Sequence, residues 1–230
     1  MTRAVALDTT TWWGGVALVA KTDAGTETVA QAGLHVRHSH AAHLLRLLEA
    51  LLAEAGWERS SIDLYVATHG PGSFTGIRIG LGTVRGLALA AERQALGVGT
   101  LPAMAEAHGP DVRERVPVLD AGRGEVYAAR YDAAGTPPME REAPWVGSPT
   151  RLLSAEAPSV LFGPGVAPHA AVLRARGWSG PAAALPTDVA AAAARLALDR
   201  LTRGEVLSEN DGLAPLYLRL ADAEAGTRAL

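Results

Sequence analysis

Val116-Pro117-Val118-Leu119-Asp120 repeats, in the second half of the chain, the pattern of Ala4-Val5-Ala6-Leu7-Asp8. In each copy a short apolar run ends in an aspartate, a turn follows, and a second run begins: Val16-Ala17-Leu18-Val19 in the first copy and Glu125 to Tyr131 in the second. Short apolar runs closed by turn residues read as β-hairpins. Recurrence of the same unit predicts a duplicated fold. Around the first hairpin the pattern adds a strand over Thr28 to Val36 and a helix from a Ser39 cap to Ala55, closed by Gly56. A buried strand over Ile62 to Thr68 and a helix from Ser73 to Ala91 follow. The second copy is followed by a loop or edge strand over Ala134 to Pro149 and a weaker strand at Val160-Leu161-Phe162. An alanine-rich helix then runs from Asp188 to Arg203, with Thr187 as its cap. Alternating strands and helices predict an α/β protein in two lobes. The expected division is residues 1–106 and a reduced second lobe over 107–230, whose last helix is placed to return to the first lobe.

The composition sets limits on function. The chain has 230 residues, 48% of them hydrophobic and 20% charged, which is enough for a buried core and too apolar for a disordered chain. A formal net charge of −3, from 21 basic and 24 acidic residues, argues against nucleic-acid or membrane binding driven by this chain's own charge. Without cysteine there is no disulfide, thiol nucleophile or thiolate metal site. The apolar run at Ala4 to Leu7 is too short for a secretory signal, and no uncharged run approaches the roughly 20 residues of a spanning helix. The expected compartment is the cytoplasm.

His69-Gly70-Pro71-Gly72-Ser73-Phe74-Thr75-Gly76-Ile77-Arg78-Ile79-Gly80 is the most distinctive segment. A glycine-rich turn at a helix N-terminus can present N–H groups to an anion, which makes Gly70, Gly72 and Ser73 candidate phosphate contacts. The segment is not a Walker A loop, because Ile77 stands where lysine should follow Gly76. The competing reading is a tight strand–helix turn whose glycines permit close packing. Gly76, Gly80, Gly82 and Gly86 all lie inside the following helix, each costing about 1 kcal/mol relative to alanine. Such a cost is usually offset by close approach of another element.

Both helices of the first lobe carry wide apolar surfaces. Phe74, Ile77, Leu81, Val84 and Ala88 form one face of the second, leaving Arg78 and Arg85 as a narrow basic stripe. In the first helix Leu44, Leu45, Leu47, Leu48, Leu51 and Leu52 cover an arc wider than one sheet contact needs, with His40 inside it and His43 at its edge. These surfaces predict a partner face made of His40, Leu44, Leu48, Leu51, Gly76, Arg78, Gly80, Thr83, Arg85 and Gly86, with Gly80→Leu blocking assembly while the lobe stays folded. No pair among His35, His38, His40 and His43 has the i,i+4 spacing of a helical zinc site, so packing or interface roles fit them better than metal binding. Asp8 and Asp120 occupy matching turns and are candidate phosphate or metal–water contacts, with Gly122 supplying close backbone approach; turn formation alone explains the aspartates equally well. No nucleophile elbow or assignable catalytic triad is present, so no residue is assigned a catalytic role.

Three segments together carry a family resemblance: His69–Gly80 (HGPGSFTGIRIG), Asp120–Tyr127 (DAGRGEVY) and Ala214–Arg219 (APLYLR). They resemble the signatures of the bacterial TsaB proteins, also called YeaZ, and Leu7-Asp8-Thr9-Thr10 and the His40…Leu44-Leu45 helix fit as well. The resemblance runs from end to end of the chain. It implies an actin-like fold of the sugar-kinase and Hsp70 superfamily and a role in making threonylcarbamoyl-adenosine beside the anticodon of tRNA. It further implies a non-catalytic subunit that binds and activates a larger paralogue, TsaD, together with a small ATPase, TsaE, forms a homodimer when alone, and meets tRNA only through the complex. Beside the strand after its glycine-rich helix the paralogue carries a His-x-x-x-His metal pair. Thr100 and Met104 stand in those two places here, and neither suits a hard catalytic metal. No cofactor is expected, apart from weak ATP or ADP at the partner interface. The alternatives are an ATP-dependent small-molecule enzyme of the same superfamily, favoured by Asp120-Ala121-Gly122, and a glycoprotease-like metallopeptidase, opposed by Thr100 and Met104.

Overall fold

A computed structural model describes residues 1–35, 40–153, 158–180, 188–205 and 212–219. The Ser39 and Thr187 caps expected from the sequence lie outside these residues, as does His38. Two sheets organise the described chain. The first has the order β3-β2-β1-β4-β5, from β1 (Thr2–Asp8), β2 (Trp13–Thr22), β3 (Gly25–His35), β4 (Leu64–Thr68) and β5 (Gln94–Val98). β1 pairs antiparallel with β2 and parallel with β4. The second sheet has the order β8-β7-β6-β9, from β6 (Glu114–Gly122), β7 (Glu125–Tyr131), β8 (Glu140–Gly147) and β9 (Ser159–Phe162). β6 is again antiparallel to its hairpin partner and parallel to the strand on its other side. The second sheet is thus the first without its fifth strand. The Pro- and Gly-rich stretch after Ala134 supplies β8 as the edge strand.

Side-chain alternation explains the layers. On β1, Val5 and Leu7 point to one face and Ala4 and Ala6 to the other. The larger residues meet α1 (His40–Ala55) and α2 (Phe74–Ala91), through Leu44, Leu48, Leu51, Leu52, Ile77, Leu81 and Val84. The alanine face meets α5 (Val189–Thr202), in which Val189 and Ala190 to Ala194 are all buried. Alanine on both surfaces lets helix and sheet approach closely, so this run belongs to the core although each side chain is small.

α3 (Thr100–His108) joins the halves, sharing one apolar cluster with α5, the first sheet and Leu119, Ala129, Tyr131 and Phe162 of the second. Residue 106, the expected division, therefore lies inside a helix that belongs to both cores. Arg195 of α5 fastens the same junction, pairing with Glu106 of α3 at 3.3 Å and with Asp188 at 3.3 Å. The far face of the second sheet packs on α4 (Val166–Arg174) through Val116, Val118, Val126 and Leu173. Among the described residues no helix is long and apolar enough to cross a membrane.

Candidate functional site

The glycine-rich segment is fastened to the chain's own first hairpin. A Cβ on Gly76 would lie 1.9 Å from the Thr9 carbonyl oxygen, and one on Gly72 would lie 2.4 Å from that of Thr10. The Ser73 N–H donates to the Thr10 carbonyl at 2.7 Å, and the Thr9 hydroxyl donates to the Gly76 carbonyl at 2.7 Å. Ser73 caps α2 by accepting the Gly76 N–H at 3.2 Å. At the helix N-terminus that resembled an anion site, the Ser73 N–H is thus spent on the hairpin turn and the Gly76 N–H on the Ser73 side chain. Close packing is the reading that the geometry supports for Gly70, Gly72 and Gly76. Asp8 is buried beneath the same turn, where its Oδ1 accepts from the Thr10 N–H, the Thr10 hydroxyl and the Thr68 hydroxyl at 3.0, 2.6 and 2.6 Å. It anchors the turn and lines neither of the clefts described below.

The second hairpin is held in a related way. Gly163-Pro164-Gly165 follows β9 as Gly70-Pro71-Gly72 follows β4, and the Gly165 N–H donates to the Val118 carbonyl at 2.9 Å. A Cβ on Gly165 would lie 2.5 Å from the Leu119 carbonyl carbon. The turn itself is open, with Gly122, Arg123 and Gly124 all at positive φ. Asp120 is exposed here, in contrast to Asp8. Its Oδ1 accepts the Gly122 N–H at 3.0 Å and shares a hydrogen bond with His169 Nε2 of α4 at 3.2 Å. His169 and Pro164 are not among the residues expected from the sequence, because the nine-residue α4 is too short to display periodicity. The second Gly-Pro-Gly after an apolar strand is the signal that would have found them.

Residues 212–219, which contain the APLYLR motif, form a strap across both halves. The Leu216 N–H donates to the His69 carbonyl at 2.8 Å, and Tyr217 stacks on Phe74 with ring centroids 5.2 Å apart. Arg78 donates to the Tyr217 hydroxyl at 3.0 Å and Arg85 to the Leu213 carbonyl at 3.2 Å. Across the junction Arg219 donates to the Ala121 carbonyl at 3.0 Å and pairs with Glu125. Arg78 and Arg85, expected on the partner face, thus reach the chain's own strap. Under the strap, His69 Nδ1 is buried without a hydrogen-bond partner among the described residues, and burial holds the imidazole pKa below its ordinary value, favouring the neutral ring.

The expected partner face needs further correction. Leu44, Leu48 and Leu51 are buried against the first sheet, and Gly76 and Gly80 are buried against Thr9. A Cβ on Gly80 would stand 2.4 Å from the Thr9 hydroxyl oxygen, so Gly80→Leu would disturb the lobe rather than only its surface. Gly82 and Gly86 meet nothing within 4 Å and, with Leu89 at 81% exposure, form the outward face of α2. Thr83 borders that face, half-buried. His40 opens α1, but its side chain lies outside the described residues. His35 sits edge-on to Trp13 at 5.3 Å. Thr100 and Met104, in the places of the paralogue's metal ligands, are fully buried in the core between the sheets.

Two clefts open where the hairpin turns converge. One, of about 450 Å³, lies beside the strap between Phe74, Arg123, Tyr127, Tyr217 and Arg219. The other, of about 500 Å³, runs between Thr10, Trp12 and Ser73 on one side and Asp120, Tyr127 and Pro168 on the other.

The chain matches known proteins over most of its length. A family model described as "TsaD: tRNA N6-adenosine threonylcarbamoyltransferase" covers residues 33–202. The "tRNA threonylcarbamoyladenosine biosynthesis protein TsaB" of Bacillus subtilis is 26% identical over 237 residues, 96% of either chain. The protein of that name from Escherichia coli K12 is 42% identical over 94 residues, spanning 40% of this chain and 41% of the relative's own length. Among solved structures, "YeaZ from Pseudomonas aeruginosa" superposes with a TM-score of 0.75 at 28% identity, covering 95% of this chain and all of that one.

Proposed function

Because the chain belongs to the threonylcarbamoyltransferase family of that model, in its TsaB (YeaZ) branch with an actin-like α/β fold, we propose that it is a non-catalytic subunit of the machinery that makes threonylcarbamoyl-adenosine on tRNA. In this reading it binds and activates a TsaD-type paralogue that performs the transfer, in a complex that includes the TsaE ATPase. The observation that carries the reading is the end-to-end similarity to a protein named for this biosynthesis. The buried Thr100 and Met104 agree with a chain that leaves the chemistry to its partner. Contact with tRNA then comes through the complex, as the net charge of −3 favours, and any ATP or ADP is held at the interface with the paralogue. The same surface serves a homodimer when the paralogue is absent.

The outward face of α2 is the docking surface in this proposal. Gly82 and Gly86 leave a shallow track in which a partner backbone can come close, and Leu89 adds apolar area that the isolated chain leaves in water. Gly86→Leu tests it. Among the described residues no atom stands within 4 Å of the new Cβ, and leucine is the better helix former by roughly 1 kcal/mol, so the isolated variant should melt no lower than the parent. On size-exclusion chromatography with the paralogue it should no longer co-elute. Co-elution equal to the parent's would remove this face from the interface.

A further inference from the structure

The geometry points to the 500 Å³ cleft between the two hairpin turns as a binding site for a small organic cation, a primary ammonium carried on an aromatic body. This stands independently of the assembly proposed above. A cleft of this volume is in the range that encloses small ligands. Asp120 is the one charged residue among its described lining residues, and none of them is basic. The Asp120 side chain is 48% exposed. With Oδ1 engaged by Gly122 and His169, Oδ2 has no partner among the described residues. One free carboxylate oxygen suits a compact ammonium better than a guanidinium, whose fork is matched by two.

The walls supply the rest of the recognition. Trp12 is 63% exposed, an indole that the core does not use, and Tyr127, Pro164 and Pro168 line the cleft with it. Aromatic faces attract cations and stack on aromatic bodies. The Ser73 hydroxyl, which accepts the Gly76 N–H, keeps its own hydrogen for a ligand acceptor. An anion meets the opposite conditions. The Asp120 carboxylate repels it, the Ser73, Gly76 and Gly122 N–H groups are already bonded within the chain, and among the described lining residues no cation offsets a phosphate.

Isothermal titration of the full chain with tryptamine, indole-3-propionate and Mg·ATP tests the assignment. Tryptamine should bind saturably and indole-3-propionate, with the same ring and the opposite charge, should not. Asp120→Asn keeps the acceptor for the Gly122 N–H and should weaken tryptamine at least about tenfold without lowering the melting temperature. Trp12→Ala should weaken it as well. Absence of saturable tryptamine binding, equal binding of the propionate, tighter binding of Mg·ATP in this cleft, or unchanged affinity in Asp120→Asn would each overturn the assignment.

Discussion

Gly76→Ala is expected to destabilise the protein by about 3 kcal/mol or more, although it adds one methyl group to a helix and improves its intrinsic propensity. The new Cβ would stand 1.9 Å from the Thr9 carbonyl oxygen, which is backbone and cannot swing aside. Relief requires the first hairpin turn to lift from α2. That movement would break the Thr9 hydroxyl bond to the Gly76 carbonyl and the Ser73 N–H bond to the Thr10 carbonyl, at 2.7 Å each. For a chain of this size the loss corresponds to a fall of about 6–12 °C in melting temperature. The control is in the same helix: Gly86→Ala meets nothing within 4 Å and should gain about 0.5–1 kcal/mol. Thermal melting of the two variants should therefore move in opposite directions. A rise in both would show that propensity, rather than the hairpin contact, decides the fate of these glycines.

Arg115→Ala should cost about 3–5 kcal/mol, the usual result of removing one partner from a buried ionic network. Arg115 is completely buried at the start of β6. Its guanidinium donates to the carbonyls of Ala105, Gly109, Asp132 and Gly135 and to the Asp132 carboxylate, at 2.6 to 3.2 Å. It thereby ties the end of α3 to the loop after β7. Alanine would leave four carbonyl groups without this donor and open a cavity as long as the side chain. Burial alone would raise the Asp132 pKa, but the Met139 and Gly135 N–H groups and Arg115 together hold it below the usual carboxylate value. Its ionised form is thus the folded form, and part of the stability disappears as the pH falls below about 3.8. Arg115→Lys should recover only part of the loss, because three donors on one nitrogen cannot reach all of these acceptors. Urea unfolding measures both variants. A loss below 1 kcal/mol in Arg115→Ala, on the order of one ordinary hydrogen bond, would contradict the role given to the network.

The hairpin repeat was readable because each strand's alternation and terminal aspartate are local in sequence, and the strand order bears out the two-lobed reading. The long, strongly patterned helices α1, α2 and α5 were equally legible. α3 and α4 were not, since each has nine residues and is too short to display several turns of periodicity. The buried members of the expected partner face were misplaced for a different reason. Periodicity identifies an apolar helix surface without identifying what covers it, and here the first sheet covers Leu44, Leu48 and Leu51 while Thr9 covers Gly76 and Gly80. Periodicity is equally silent on the internal contacts of the basic stripe, because Arg78 and Arg85 meet a strap more than 120 residues away in sequence. Asp8 and Asp120 match in sequence and differ in space, one buried as a turn anchor and the other open to a cleft.

The most direct test of the proposed role is a reconstitution of tRNA modification with and without this chain. The reaction would contain the TsaD-type paralogue, TsaE, the enzyme that forms the threonylcarbamoyl adenylate, ATP, threonine, bicarbonate and unmodified tRNA, and mass spectrometry of digested tRNA would measure threonylcarbamoyl-adenosine. Product should form only when the chain is present, and should be lost when Gly86→Leu replaces it. Equal product in its absence would show that the chain is not a required subunit.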